Sequence, residues 1–217
     1  MTLSSPPATA CVPRQLLTPL LLPEGMRLTP EQFASVCAAN PDAVLELNSD
    51  GRLIAMTPTG SETGARSGNL LISLGLAVRG LGLPCKVFDS SSGFLLPDGS
   101  VRSPDASLVR LERWQALTAE QRRGFAPLCP DLVVELASPT DEGPCGVSAL
   151  RRKMASYQAN GARLGWLLLP EERAVEIWPA QGGGSESAPL CLEEAEGLEG
   201  GPEFPGLRLE LAEIWNA

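Results

Sequence analysis

The chain has 217 residues, 43% hydrophobic and 20% charged, a balance that supports one globular domain of ordinary size with extra segments at its ends. Its net charge of −9 argues against a protein that coats nucleic acid with lysine and arginine, without excluding a nuclease whose acidic site meets phosphate across a metal. Histidine is absent, which excludes a Ser-His-Asp triad, a Cys-His pair and any histidine-built zinc or iron site and leaves catalysis to carboxylates, lysine, hydroxyls or metal-bound water.

Residues 1–25 are rich in Pro, Ser, Thr and Ala and read as a loosely ordered arm ahead of a single domain over 26–217. The apolar stretch Leu16 to Leu22 is broken by Pro19 and closed by Pro23, and no run approaches the ~20 residues needed to span a bilayer. Neither a secretory signal nor a membrane role is expected, so a cytoplasmic protein is the expectation. The six cysteines, Cys11, Cys37, Cys85, Cys129, Cys145 and Cys191, form no C-x-x-C pair and read as incidental thiols.

Helix signals begin at Thr29, an N-cap followed by Pro30 in the first helical position and by Gln32 to complete a capping box. Phe33, Val36 and Cys37 form one apolar stripe, and Asn40-Pro41 ends the helix. Val44 to Leu47 and Arg52 to Met56 then read as a hairpin around Asn48-Ser49-Asp50-Gly51. After a Thr/Pro/Gly loop, residues 62–81 predict a helix with Leu70, Leu71, Leu74 and Val78 on one side.

Strands follow at Lys86-Val87-Phe88, Gly93 to Leu96 and Ala106 to Val109, with Pro97-Asp98-Gly99 as the turn between the last two. Leu111 to Gly124 reads as a polar, partly helical excursion. Leu132 to Leu136 is the strongest buried strand, since its near-continuous apolar run suits a sheet covered on both faces. A helix over Val147 to Asn160 closes at Gly161, and strands at Leu164 to Leu169 and Ala174 to Trp178 come next. Gly182 to Ser185 reads as a flexible link and Glu193 to Gly201 as a solvated acidic loop. Leu209 to Trp215 reads as a short terminal helix that docks back. The order predicts an α/β fold, a mixed sheet flanked by helices.

Glu135 stands out because it lies inside the most apolar strand. An ionised carboxylate is buried only at high cost unless it is paired or bound to metal. The alternative is a place at the strand's exposed end, or an arginine partner. Asp105 follows Pro104 where a strand begins, although Pro130-Asp131 repeats that pair and one of the two is only a strand start. Lys153, one of two lysines, shares a helix face with Tyr157, and a solvated lysine is its alternative. Carboxylates converging from adjacent strands can hold Mg²⁺ or Mn²⁺, and a neighbouring lysine can orient water and stabilise an anionic transition state. Arg66, Arg151 and Arg152 could reach phosphate near such a site, with solvated side chains as the alternative.

The ordered set Pro104-Asp105, Glu135-Leu136-Ala137-Ser138, Lys153-Met154-Ala155-Ser156-Tyr157 and Gly165-Trp166-Leu167 resembles the PD-(D/E)-x-K nuclease superfamily. With the hairpin around Glu46, the loop Met56 to Gly60 and the closing Phe204-Pro205-Gly206-Leu207, it resembles more narrowly the bacterial Uma-two family of predicted endonucleases, over about Leu28 to Trp215. That resemblance implies a restriction-endonuclease-like fold and a metal-dependent endonuclease hydrolysing phosphodiester bonds in DNA. It implies Asp105 and Glu135 as catalytic metal ligands, Lys153 as the catalytic lysine moved onto the helix, and Glu46 as an accessory carboxylate at the Mg²⁺ or Mn²⁺. Relatives of this kind often dimerise. Two departures stand against it: the loop after Met56 lacks the histidine many relatives carry, and Glu142 to Gly146 lacks basic residues. The second reading is a catalytically inactive nuclease fold kept as a binding or interaction module, which the acidic charge and sparse lysines favour.

Overall fold

The computed structural model describes residues 25–56, 58–141, 144–180 and 188–217. Helix α1 (Pro30–Ala39) starts at the capping box: Thr29 accepts from the Gln32 N–H, and the Gln32 side chain accepts from the Thr29 N–H. The hairpin pairs β1 (Val44–Leu47) with β2 (Leu53–Met56). Gly51 closes its turn at φ +79, and the Leu28 carbonyl lies 2.9 Å from where a Cβ would stand, so glycine is required twice over. Helix α2 (Ser61–Gly80) is followed by β3 (Cys85–Asp89), β4 (Phe94–Leu95), β5 (Val101–Arg102) and β6 (Ala106–Arg110). The Pro97-Asp98-Gly99 turn therefore joins β4 to β5, not to β6, because β5 is too short to show an alternation. Then come α3 (Leu111–Ala116), α4 (Ala119–Arg123), β7 (Leu132–Leu136), α5 (Pro144–Ala159), β8 (Leu164–Leu169), β9 (Ala174–Pro179), β10 (Leu190–Glu193), β11 (Gly197–Glu199), β12 (Arg208–Glu210) and α6 (Ala212–Trp215).

The main sheet has the order β10-β9-β8-β7-β6-β3. Its one parallel pair is β7 with β8, joined by the α5 crossover that parallel strands require. The expected mixed sheet flanked by helices is present, but the hairpin lies outside it, in a second sheet ordered β2-β1-β5-β4.

Alternation along β7 divides the core. Leu132, Val134 and Leu136 pack with Leu70, Leu74 and Val78 of α2 and with Ile214 and Trp215 of α6. Val133 faces the other way, with Met154 and Tyr157 of α5. Fully burying each such aliphatic side chain contributes about 1.5–3 kcal/mol. Gly165 of β8 sits across from Val133, and a Cβ there would stand 2.5 Å from Met154 Cε. This glycine lets α5 lie close enough to the sheet for its side chains to reach β7.

The stretch expected as a solvated loop, Glu193 to Gly201, holds the end of β10 and all of β11. Leu198, only 1% exposed, ties β11 into the core, and charge density concealed that one anchor. The link at Gly182 to Ser185 and the arm up to residue 24 lie outside the described residues. Among the described residues no helix is long and apolar enough to cross a membrane, and Cys37, Cys85, Cys129 and Cys191 are free thiols.

Candidate active site

Glu135 is 3% exposed and lies on the α5 side of β7, two residues beyond Val133. Among the described residues its partners are a lysine and a tyrosine, not an arginine. Lys153 Nζ lies 2.9 Å from Oε1 and donates to Oε2 at 3.0 Å, and the Tyr157 hydroxyl donates to Oε1 at 3.0 Å. Lys153 and Tyr157 reach one carboxylate because positions i and i+4 share a helix face.

Lys153 also lies 3.0 Å from Oε1 of Glu46, on β1. Glu46 Oε1 accepts the Ser103 N–H at 2.9 Å, and Oε2 accepts from Arg102 at 3.0 Å. Arg102 donates onward to Asn48. The small sheet thus delivers a second buried carboxylate to the same lysine.

Asp105 stands one residue ahead of β6. The pairing of Ala106 with Val134, carried one step further, sets Asp105 across from Glu135. Its Oδ2 accepts the Leu136 N–H at 2.8 Å. Among the described residues its Oδ1 takes no hydrogen bond.

Burial dominates the electrostatics. It pushes Glu135 up to about 8, against the pull of Lys153 and with a further push from the nearby Asp105 and Glu46 charges. Asp105 is likewise raised by burial, opposed by Lys153 and the Leu136 N–H. Burial would raise Glu46 too, but Lys153, the Ser103 N–H and Arg102 together hold it below the usual carboxylate value. Burial works against the Lys153 charge, and Glu135, Glu46 and Asp105 outweigh it and keep the ammonium protonated.

Three carboxylates therefore face two cationic side chains, and two of the three are undercompensated. Among the described residues no group of three or more Asp, Glu or Cys side chains converges to hold a metal alone. The arrangement fits a hard divalent ion held by a carboxylate pair, since Mg²⁺ is commonly bound through one or two carboxylates, with water and substrate phosphate completing its shell. A cleft of about 260 Å³ lies beyond the ends of β7 and β8, lined by Ala137, Ser138, Asp141, Leu169 and Glu171.

The remaining candidates lie elsewhere. Asp131, the second Pro-Asp aspartate, precedes β7 at the end away from Glu135 and is fully buried. It accepts the Arg110 N–H at 2.9 Å and pairs with Arg113 at 2.9 Å and Arg163 at 3.5 Å, a structural clasp. Arg66 is buried and tied to Glu62 and Glu171, so it is neither solvated nor free for phosphate. Arg151 pairs with Glu176, while Arg152 is exposed. Sequence reasoning missed Arg102: a two-residue strand carries no readable periodicity. The spacing of Lys153 and Tyr157 was the one available signal for the tyrosine.

A family model described as "Putative restriction endonuclease", Uma2, matches residues 30–212. The chain belongs to the Uma2 family. In fold this Uma2 chain is similar to a crystal structure described as "a putative nuclease belonging to DUF820" from Anabaena variabilis ATCC 29413, with a TM-score of 0.65 and 18% identity over 87% of this chain and 97% of that one. Among curated protein sequences nothing matches it. The family places the mixed sheet and its helices within a nuclease-type fold.

Proposed function

We propose that this Uma2 protein is a metal-dependent endonuclease that hydrolyses phosphodiester bonds in DNA, with Asp105, Glu135 and Lys153 as its catalytic residues. The observation that carries the reading is the largely buried lysine shared by Glu46 and Glu135, beside two carboxyl groups, Glu135 and Asp105, that burial shifts toward protonation. A bound Mg²⁺ or Mn²⁺ supplies positive charge beside the phosphate and acidifies water there.

The chain's own groups have separable tasks. Asp105 and Glu135 offer oxygen ligands from adjacent strands, and Asp105 is oriented by the Leu136 N–H. Tyr157 keeps Glu135 turned toward the lysine. Lys153, held protonated, orients the attacking water and offers its charge to the phosphate oxygens as they become more negative. Glu46, expected as an accessory ligand, already accepts from three donors on its two oxygens. We read it as the anchor of Lys153 rather than as a metal ligand.

The experiment is plasmid cleavage with and without Mg²⁺ or Mn²⁺, repeated with Asp105→Ala, Glu135→Ala and Lys153→Ala. Metal-dependent nicking lost in all three variants is the expected result. Failure of the wild type over both metals and several substrates overturns the assignment in favour of a binding module.

A further inference from the structure

A second cleft, of about 500 Å³, opens on the α5 side of the sheet between the β3–β4 turn, α3 and α4. This is within the roughly 300–1,000 Å³ range of ligand clefts. Its walls are the half-buried rings of Phe88, Trp114 and Phe125, and Arg122 and Arg123 stand exposed at its rim. Phe88 and Trp114 meet edge to face at 5.1 Å, so each ring braces the other. The Arg122 guanidinium is steadied by two bonds to the Leu117 carbonyl, with further donors to spare. Arg123 has no hydrogen-bond or ion-pair partner among the described residues. In a chain of net charge −9, adjacent exposed arginines beside half-buried aromatic rings are a local reversal of sign.

Register places this cleft next to the candidate active site. Phe88 pairs with Ser107, and Ser107 pairs with Val133, so all three lie on the α5 side. Asp105, two residues before Ser107, shares that side. Phe88 is thus one strand across and one pleat along from Asp105, roughly 8 Å by strand geometry. A base in the cleft would belong to a nucleotide next to the phosphate at Asp105.

We propose that this cleft takes an unstacked base of a single-stranded stretch of nucleic-acid substrate, stacked on Trp114 with Phe88 bracing that ring, and with Arg122 and Arg123 on the adjoining phosphate. Every base has a π-face, and aromatic platforms with nearby cations are how proteins hold single strands without reading sequence. The assignment rests on the nuclease reading for its place in a reaction, but the binding it describes needs no metal.

The test uses the full chain in EDTA, where no metal-dependent cleavage occurs, and follows the anisotropy of a short fluorescein-labelled single-stranded DNA. Wild type is expected to bind it more tightly than the same sequence as a duplex. Trp114→Ala is expected to weaken binding about tenfold, the scale of one lost base stack, and Trp114→Phe to retain most of it. Arg123→Glu, on an exposed helix end, is expected to weaken binding comparably with an unchanged melting temperature, so it carries the test should Trp114→Ala fold poorly. No binding by the wild type, a preference for duplex, or wild-type binding by both Trp114→Ala and Arg123→Glu overturns the proposal. Thermal stabilisation by Mn²⁺ is measured in parallel. Its absence in the wild type, with Trp114-dependent binding intact, counts against the nuclease reading and leaves the cleft standing; the reverse pattern removes the cleft alone.

Discussion

The Leu136 backbone N–H donates to Oδ2 of Asp105 at 2.8 Å, so the last residue of β7 orients the carboxylate that precedes β6. Asparagine can accept that bond through its side-chain oxygen while losing the negative charge. Asp105→Asn is therefore expected to fold with a melting temperature close to wild type and to lose its response to Mn²⁺. In the wild type, Mn²⁺ at a hundred times its Kd should add about 2.7 kcal/mol of stability. Thermal melts of both proteins across a Mn²⁺ series check this, and an equal shift in Asp105→Asn would remove Asp105 from the metal site.

Lys153 lies between two carboxylates that are almost fully buried. Removing one partner of a buried ion pair leaves charge uncompensated and costs about 3–5 kcal/mol. Lys153→Met is expected to lose stability on that scale by urea denaturation, with the loss growing as pH rises and the orphaned carboxylates ionise. Lys153→Arg should restore little, because the planar guanidinium needs room that a compact ammonium does not. A Lys153→Met protein as stable as wild type at pH 8 would show that the ion pairs carry no net weight.

The pH dependence has a definite sign. Burial pushes Glu135 from the ordinary 4.5 up to about 8, so between those values the folded chain keeps a proton that the unfolded chain has released. Stability from this group is fully present below about 4.5, declines through that window, and levels off above pH 8. Glu46, held below its ordinary value, acts oppositely: its contribution is present at neutral pH and is lost as acidification protonates it. Metal-free protein should thus be most stable in mildly acidic buffer. Urea melts from pH 5 to 9 measure the slope, and Glu135→Gln, which mimics the protonated form, should flatten it. An unchanged slope in that variant would assign the titration elsewhere.

Metal binding should carry the linked proton. Because burial favours protonated Glu135, and raises Asp105 as well, a divalent ion must displace protons to use them as ligands. Mn²⁺ affinity is expected to rise with pH up to about 8, with proton release visible by calorimetry in buffers of different ionisation enthalpy. Buffer-independent heats would contradict it.

Asp131 offers the contrasting case. Its carboxylate is fully buried among the partly exposed Arg110, Arg113 and Arg163, yet it sits at the far end of β7 from Glu135. Asp131→Ala is expected to cost about 1–3 kcal/mol, chiefly by leaving the Arg110 N–H without its acceptor, since the arginines themselves reach solvent. The folded fraction at low temperature should retain metal-dependent stabilisation. Loss of the Mn²⁺ response in a folded Asp131→Ala protein would show that the two ends of the strand are coupled.

The linear chain by itself determined the elements whose causes are local. The Thr29 cap, the Gly51 turn, the apolar run of β7 and the helical stripe of α2 each follow from neighbouring residues, and each is in place. The strangeness of Glu135 was equally legible, because a carboxylate inside an apolar run is conspicuous without coordinates. Only the tertiary structure decided which Pro-Asp aspartate faces it, since both precede a strand and the antiparallel register alone sets Asp105, not Asp131, beside its far end. It also decided that the β1–β2 hairpin leaves the main sheet and brings Glu46 and Arg102 to Lys153. The physical reason is common to both. Strand pairing and helix docking join residues far apart in sequence, and their charges influence one another only after the fold has removed the water between them.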